Sequence, residues 1–271
     1  MSGTVLLKGI DWTTQWQMRM AASCHCKRLA ECGISAEAYW DDFTFWEEFR
    51  RYSGYPGAAL ERIRRYVTPE TTILEIGPGD GSFTIPLAKI CRSITAVEPS
   101  AGQISQLVQN AQREGLHNIR IIPKRWEHVK REELSEYGIV LAAHSLLMED
   151  IRSAIERMCR AASQWVFLLH CAGRDMAPLL STVTPDFNPG PDYIAIYNML
   201  YQMGFMADVE IIRQDYEILL GFQFRMCDGA HRLTTEERDC LYRKMEAAGK
   251  IAYRDGALWL RRQPRDALVI I

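Results

Sequence analysis

The stretch of sequence that decides the fold is "ILEIGPGDGSF", residues 73–83. A short apolar run is followed by three glycines at alternate positions, Gly77, Gly79 and Gly81. Glycine adopts backbone angles that other residues avoid, and it lets the main chain approach a ligand closely. A buried strand that runs into such a turn therefore predicts a binding loop at the carboxyl end of that strand.

Outward from this loop, residues 69 to about 172 alternate strand-like and helix-like patterns. Amphipathic segments separate apolar runs, and Ser100 is placed to cap one of the predicted helices. The predicted strands lie at 73–76, 93–98, 119–122, 138–143 and 164–170. Apolar strands connected by amphipathic helices are typical of a parallel sheet that helices cover on both faces. We therefore predict a doubly wound α/β fold.

The regions that flank this core differ from it in composition and pattern. Residues 1–68 carry many aromatic residues at helical spacing, which predicts an N-terminal helical, aromatic-rich cap. Residues 69–271 are predicted to form the second domain, with insertions at about 173–200 and 225–255. Toward the C-terminus the sequence predicts a helix at about 192–203, strands at 206–214 and 216–224, a capping box at Thr234 and Glu237, and a hairpin turn at Asp255-Gly256.

Composition and charge exclude several functional classes. The chain has 271 residues, of which 48% are apolar and 24% charged, and its formal net charge is −2. This balance gives no basic surface for nucleic acid or an anionic membrane. The N-terminal residues lack a signal-peptide pattern, and no segment approaches the roughly 18 apolar residues of a spanning helix. We therefore expect a cytoplasmic protein with a small-molecule partner, no nucleic acid and no membrane, and its oligomeric state stays open.

The glycine loop and its neighbours resemble the class I, Rossmann-like methyltransferases that use S-adenosylmethionine (SAM). The resemblance rests on "LEIGPGDGSFTIPLA" (74–88) and "AVEPS" (96–100), and it covers roughly residues 70–172. It implies a seven-stranded, mostly parallel sheet with an antiparallel last strand. It also implies in-line transfer of the SAM methyl group, which leaves S-adenosylhomocysteine (SAH). The G-x-G-x-G spacing departs from the G-x-G-x-x-G of dinucleotide sites, which disfavours a nicotinamide oxidoreductase.

The resemblance also implies a set of cofactor contacts. The glycine loop would pass the methionine and ribose parts of SAM, Glu98 would hold the ribose hydroxyls, and Trp126 would stack on the adenine. Many relatives carry an Asp in the adenine loop, and "PKRWEHV" (123–129) has none. Glu75, inside the first strand, would hold the loop or contact a cationic ligand. The full predicted set is Glu75, Gly77, Pro78, Gly79, Gly81, Glu98, Pro99, Arg125, Trp126, Glu127 and His144.

Two histidines are candidates for the chemistry, because each ends a predicted strand. His144 follows the strand at 138–143, and His170 ends the strand at 164–170. Carboxyl ends of parallel strands meet at one edge of the sheet, and a neutral imidazole can accept a proton near pH 7. Each ring could instead cap a helix or bond to a backbone carbonyl. The stretch "AAHSLLMED" (142–150) lacks the Asn/Asp-Pro-Pro-Tyr run that methyltransferases of base amines and glutamine amides tend to carry.

The acceptor pocket is predicted under the aromatic N-terminal region and the segment at 173–200. Tyrosine hydroxyls and tryptophan faces suit a small, partly apolar or cationic acceptor, although the same rings can pack in a core. The predicted lining residues are Tyr39, Trp40, Tyr52, Tyr55 and Tyr197.

The eight cysteines give two patterns. Cys91, Cys159, Cys171 and Cys240 lie in apolar segments and predict buried free thiols. Cys24, Cys26 and Cys32 cluster around His25, but their spacing is not that of a structural zinc site. We therefore expect no metal cofactor. A non-catalytic, SAM-binding regulatory protein that binds metal through this second cluster remains an alternative.

Overall fold

The computed structural model describes residues 9–41, 43, 45–184, 186–230 and 233–271. The N-terminal residues 1–8, where the sequence predicts no signal peptide, lie outside this range. Ten strands are described: β1 (Thr72–Ile76), β2 (Ser93–Val97), β3 (Ile119–Ile122), β4 (Tyr137–Ala143), β5 (Ala162–Gly173), β6 (Asp208–Arg213), β7 (Tyr216–Leu219), β8 (Ile251–Arg254), β9 (Ala257–Arg262) and β10 (Arg265–Ile270). The five strands predicted around the glycine loop are all present, and their ends shift by a few residues at most.

Seven of these strands form the main sheet, in the order β3-β2-β1-β4-β5-β10-β6. The first five pair in parallel, whereas β10 runs antiparallel to both β5 and β6. The predicted fold class is therefore confirmed, including the antiparallel last strand. Strand order reverses beside β1, which is where open α/β sheets bind their ligands.

Helices precede, connect and follow the strands. The described helices are α1 (Trp12–Ala21), α2 (Cys24–Cys32), α3 (Ala36–Asp41), α4 (Trp46–Ser53), α5 (Gly57–Arg64), α6 (Thr84–Ala88), α7 (Ala101–Arg113), α8 (Ile151–Ala161), α9 (Ala177–Leu180), α10 (Tyr193–Gln202), α11 (Leu220–Ala230) and α12 (Thr235–Ala247). Ser100 caps α7 as predicted, because its hydroxyl accepts a hydrogen bond from the backbone N–H of Gln103. Within the described ranges, every helix is too short or too polar to span a lipid bilayer.

Two apolar cores cover the faces of the main sheet. On one face, α1, α8 and α10 bury residues such as Trp16, Ile155 and Met199 against the strands. On the other face, α5 and α6 bury Ile63 and Leu87. Burial on both faces explains why β1, β4 and β5 read as uninterrupted apolar runs.

A second, three-stranded sheet in the order β7-β9-β8 lies between β6 and β10 along the chain. The predicted strand at 216–224 was wrong beyond Leu219, because the following residues form α11. Leu220, Gln223 and Cys227 are buried there at spacings of three and four, which is the period of a helix. The predicted Asp255-Gly256 turn is confirmed between β8 and β9, with φ of +52° and +75°. The capping box that opens α12 is confirmed as well.

Candidate functional site

The glycine loop leaves β1 at the carboxyl edge of the sheet, beside the residues that follow β4. Gly77 and Gly79 both adopt left-handed angles, with φ of +67° and +57°. A Cβ atom on Gly77 would lie 2.4 Å from the Cβ of Ser145, so a side chain has no room there. The N–H of Gly77 donates to the carbonyl of Val97 at 2.9 Å. The loop is therefore held against β2 and against the residue after His144.

A cleft opens above the ends of β1, β2 and β4 and encloses about 1160 Å³, open mouth included. Its walls come from the glycine loop, the loops after β2, β3 and β4, and the N-terminal helices. The predicted cofactor residues that line it are Glu75, Gly77, Pro78, Gly79, Glu98, Pro99, Arg125, Trp126, Glu127 and His144. Gly81 packs against α7 instead, where a Cβ would lie 2.6 Å from a methyl group of Leu107.

Glu98 connects the glycine loop to the start of α7. Its two carboxylate oxygens accept hydrogen bonds from the backbone N–H groups of Gly79, at 3.2 Å, and Ser100, at 2.9 Å. Burial raises the pKa of Glu98 although these hydrogen bonds oppose the shift. Each carboxylate oxygen offers two lone pairs, so Glu98 can accept further hydrogen bonds from the cleft.

Glu75 lies in β1 and is almost fully buried, at 1% exposure. It accepts a hydrogen bond of 2.5 Å from the hydroxyl of Thr84 at the start of α6. Burial raises the pKa of Glu75 to about 7, and the nearby charges of Glu98 and Asp80 add to the shift. Glu75 thus ties β1 to the helix after the loop while also lining the cleft.

The loop after β3 contains both a buried ring and an ion pair. The indole N–H of Trp126 donates to the carbonyl of Ala154 at 3.1 Å, and the Arg157 guanidinium lies 4.5 Å from the ring centre. Arg125 makes two hydrogen bonds to Glu37 on α3, one of them 2.8 Å long. These bonds hold the pKa of Glu37 at about 2. The ion pair therefore fastens the N-terminal helices to the loop after β3.

Three further hydrogen bonds fasten the N-terminal helices to the opposite wall. Arg50 on α4 donates to Asp80 at 2.5 Å and to the hydroxyl of Ser82 at 2.9 Å, both in or beside the glycine loop. The carboxylate of Asp41 accepts the N–H of Gly102 at 2.9 Å. No sequence pattern predicts these partners or Glu37, because each pair joins segments that are far apart along the chain.

His144 lies at the cleft wall with a left-handed φ of +53°, which is uncommon for a residue with a side chain. Its Nε2 lies 3.5 Å from Oδ2 of Asp266 on β10, and Cys171 on β5 completes the cluster. Burial disfavours the charged ring, but Asp266 and Cys171 outweigh it and raise the pKa of His144 to about 10. Burial raises the pKa of Cys171, yet the hydrogen bond to His144 reverses this and lowers it overall. This shift favours the protonated ring at neutral pH, whereas the predicted role as a base needs the neutral ring.

His170 lies outside this cluster and does not line the cleft. Its Nε2 lies 3.1 Å from the carbonyl oxygen of Pro191, and its ring centre is 5.3 Å from that of Trp16. Burial, helped by the charge on His144, lowers its pKa to about 3. Side chains alternate between the two faces of a strand, so Cys171, not His170, lies on the same face as His144.

The predicted acceptor residues separate into two groups. Trp40 and Tyr55 line the cleft, whereas Tyr39, Tyr52 and Tyr197 do not. Tyr52 packs against Phe222 on α11 and Trp259 on β9, and Tyr197 lies on α10 at 37% exposure. The cleft is also lined by Trp46, Phe83 and Met148, which are not among the predicted residues. Helical spacing marks a buried face but cannot tell which rings reach a cavity.

All eight cysteines are free thiols. Cys24, Cys26 and Cys32 lie on α2, and they do not form a ligand group in the described part of the chain. The group there whose atoms could hold a metal ion is His144, Cys171 and Asp266.

Comparison with known proteins matches residues 73–164 to the family described as a methyltransferase domain. An uncharacterized protein of Haemophilus influenzae is 29% identical over 166 residues, which are 60% of this chain and 62% of that protein. The chain thus spans less than two thirds of that relative. The 23S rRNA (uracil(1939)-C(5))-methyltransferase of Xanthomonas euvesicatoria is 42% identical over 50 residues, 18% of this chain and 11% of the enzyme.

Solved structures share the fold at low sequence identity. The YcgJ protein of Bacillus subtilis superposes with a TM-score of 0.56 at 15% identity, over 78% of this chain and 96% of its own. A protein of Bacillus halodurans crystallised as a candidate methyltransferase superposes with a TM-score of 0.57 at 13% identity, over 79% of this chain and 98% of its own.

Proposed function

We propose that this chain, whose residues 73–164 match a methyltransferase domain, is a class I SAM-dependent methyltransferase that binds SAM in the cleft and transfers the methyl group to a small-molecule acceptor. SAM supplies an activated methyl group, and the protein's part in an in-line displacement is to align the reactants and exclude water. The observation that carries the proposal is the covered cleft. The glycine loop and Glu98 form one wall, and the helices that hold Glu37 and Arg50 close over it.

The residues of the cleft fit SAM. Gly77 and Gly79 present bare backbone to the cleft, and the side-chain oxygen of Gln103 is buried there without a hydrogen-bond partner among the described residues. Glu98 would hold the ribose hydroxyls through its remaining lone pairs. The loop after β3 would flank the adenine, but Trp126 is only 2% exposed, so the adenine can contact no more than the small part of that side chain that lines the cleft.

The far end of the cleft suits a small acceptor. Tyr55 lies there between Phe83 and His144, with ring-centre distances of 5.8 and 6.0 Å. Trp40 and Trp46 stack above, 6.2 Å apart. These rings enclose a compact, largely apolar space. We assign to His144, in the metal-free chain, the positioning of the acceptor, because its raised pKa favours a protonated ring, which cannot accept another proton.

The charges of the cleft argue against a nucleic-acid substrate. Its lining carboxylates outnumber its lining cations, which are Arg125 and the His144 ring. The lining carboxylates are Glu37, Glu75, Asp80, Glu98 and Glu127. Phosphate backbones are bound through lysine and arginine, so this arrangement would repel them. The short match to an rRNA methyltransferase nevertheless makes RNA methylation the second candidate function.

Calorimetry and a labelling assay test the proposal together. We expect SAH to bind and NADH not to bind. Incubation with methyl-labelled SAM should place the label in a low-molecular-weight metabolite fraction and not in total RNA. His144→Ala should lower the rate while SAH binding persists, and the exposed His117→Ala serves as the control. Failure of SAH to bind would overturn the proposal, and label in RNA would establish the second candidate.

A further inference from the structure

We infer a transition-metal site formed by His144, Cys171 and Asp266, where the ends of β4, β5 and β10 meet beside the cleft. It takes a divalent cation of the zinc type. This inference goes beyond methyl transfer, and metal binding can be measured without any turnover.

Three strand ends bring these ligands together. Cys171 and Asp266 are directly opposite each other in the β5–β10 pairing, so their side chains share one face of the sheet. The next strand, β4, delivers His144, whose backbone N–H donates to the carbonyl of Leu169 at 2.9 Å. Its left-handed backbone turns the ring toward that same face. The cluster is thus held by the sheet itself.

The distance between His144 and Asp266 matches that of two ligands of one ion. The candidate ligand atoms of all three residues lie within 4.8 Å of one another, close enough for small side-chain shifts to bring them onto one ion. The His144 Nε2 and the Asp266 Oδ2 are 3.5 Å apart. Nitrogen and oxygen ligands bonded at about 2.0–2.2 Å to one tetrahedral zinc lie roughly 3.3–3.5 Å from each other. The same separation is long for a direct hydrogen bond, whose N···O distance is about 2.9 Å.

The donor set selects the type of metal. Imidazole nitrogen and thiolate sulfur suit zinc and cobalt, whereas magnesium and calcium prefer oxygen ligands alone. Three protein ligands leave a fourth position for water or a substrate atom, as in catalytic zinc sites. The amide of Gln214 donates to Asp266 Oδ2 at 2.5 Å and would orient that carboxylate from outside the site.

Cobalt binding to the full-length chain tests the inference. The protein carries Cys24→Ser, Cys26→Ser and Cys32→Ser, which removes the thiols on α2 as competing ligands. Titration with Co²⁺ should show one ion per chain, a sulfur-to-cobalt charge-transfer band and the intense visible bands of a tetrahedral site. Zn²⁺ should displace the cobalt.

Variants then identify the ligands. Cys171→Ser should abolish the charge-transfer band, and Gln214→Ala should weaken binding about tenfold, the low end of the effect of outer partners. Cys159→Ser and His117→Ala serve as matched controls and should leave the spectrum unchanged. SAH binding is measured on every variant, so failure of the metal site and failure of the proposed function give different results.

A second measurement on the same protein needs no change at the site itself. Zn²⁺ should protect Cys171 from alkylation, read by peptide mass spectrometry, while Cys159 serves as the internal reference. The inference is overturned if no charge-transfer band forms, if the band survives Cys171→Ser, or if Cys171 alkylates at the same rate with and without Zn²⁺.

Discussion

The glycine loop and the N-terminal cap form the two walls of one cleft by different physical means. The loop wall is mostly backbone: Gly77 and Gly79 use left-handed angles, and Glu98 holds two N–H groups in place. The cap wall is fastened by side chains, through the Glu37–Arg125 and Arg50–Asp80 ion pairs. A single substitution should disrupt a backbone conformation that favours glycine and should have a large effect on stability and SAH binding. Removal of a partly exposed ion pair should have a small effect on both.

The sharpest test of the loop wall is Gly77→Ala. Left-handed backbone costs an alanine about 1–2 kcal/mol, and overlap with Ser145 should cost a further ~1–3 kcal/mol. We expect the free energy of unfolding to fall by both amounts and SAH binding to be lost. Urea unfolding and calorimetry measure the two effects.

Gly115→Ala is the matched control, because Gly115 has a similar φ of +65° and nothing within 4 Å of the added Cβ. It should show the backbone cost alone and leave SAH binding intact. Equal losses of stability in the two variants would mean that the contact with Ser145 is unimportant and that the loop resembles any other turn.

Glu98→Ala should have the next largest effect. Hydrogen bonds to a charged group contribute about 1.5–3 kcal/mol each, so loss of one ribose contact should weaken SAH binding roughly 10- to 100-fold. The exposed Glu114→Ala, whose carboxylate pairs with Lys89 away from the cleft, is the control. Unchanged SAH affinity in Glu98→Ala would mean that Glu98 only accepts the backbone N–H groups of Gly79 and Ser100 and does not contact the ribose.

This contrast also explains what the sequence could predict. Local periodicity predicts the strands β1 to β5. The rule that the carboxyl ends of parallel strands meet at one edge predicts that Glu98 and His144 line the cleft. Glu37 and Arg50 could not be found this way, because their ion-pair partners lie 88 and 30 residues away along the chain and leave no local pattern. Asp266 was missed for the same reason: its place opposite Cys171 depends on the register of β10 against β5.

In two other places the sequence pattern does not determine the local structure: the face of β5 that points to His144, and the segment after Leu219. His170 and Cys171 are neighbours on one strand, so the choice of face decides which of them reaches His144, and the apolar run around them is buried on both faces. The residues after Leu219 carry bulky apolar side chains that suit either a strand or a buried helix. Only packing against the second sheet distinguishes the two.

Glu75→Gln tests a buried charge in the loop wall. The folded-state pKa of about 7 lies above the ordinary value of 4.5, so the folded protein holds this proton more tightly than the unfolded chain. Its contribution is therefore fully present below pH 4.5 and is lost as the pH rises through 7. Glutamine cannot ionise. The free energy of unfolding in urea should therefore change between pH 5 and pH 8 by about 1–3 kcal/mol less in Glu75→Gln than in the wild type.

The exposed Glu132→Gln is the control and should keep the wild-type pH dependence. SAH affinity separates the two predicted roles of Glu75. Wild-type affinity in Glu75→Gln would indicate that the residue only holds the loop through Thr84, whereas weaker binding would indicate contact between its charge and a cationic part of the ligand. An unchanged pH dependence of stability would contradict the raised pKa.

The cap wall should give the smallest effect, in Glu37→Gln. The Arg125 and Glu37 side chains are 48% and 24% exposed, and such ion pairs contribute about 0–1 kcal/mol. We expect SAH binding to weaken by no more than about fivefold, less at high salt, with little change in stability.

The pKa of Glu37 is about 2, so the contribution of this ion pair is present above pH 4.5 and is lost as the pH falls toward 2. The ratio of the SAH affinities of the wild type and Glu37→Gln should therefore be constant from pH 6 to 8. Glu47→Gln removes an ion pair within α4 and should leave binding unchanged; a loss in Glu37→Gln as large as in Glu98→Ala would mean that the two walls are equally rigid.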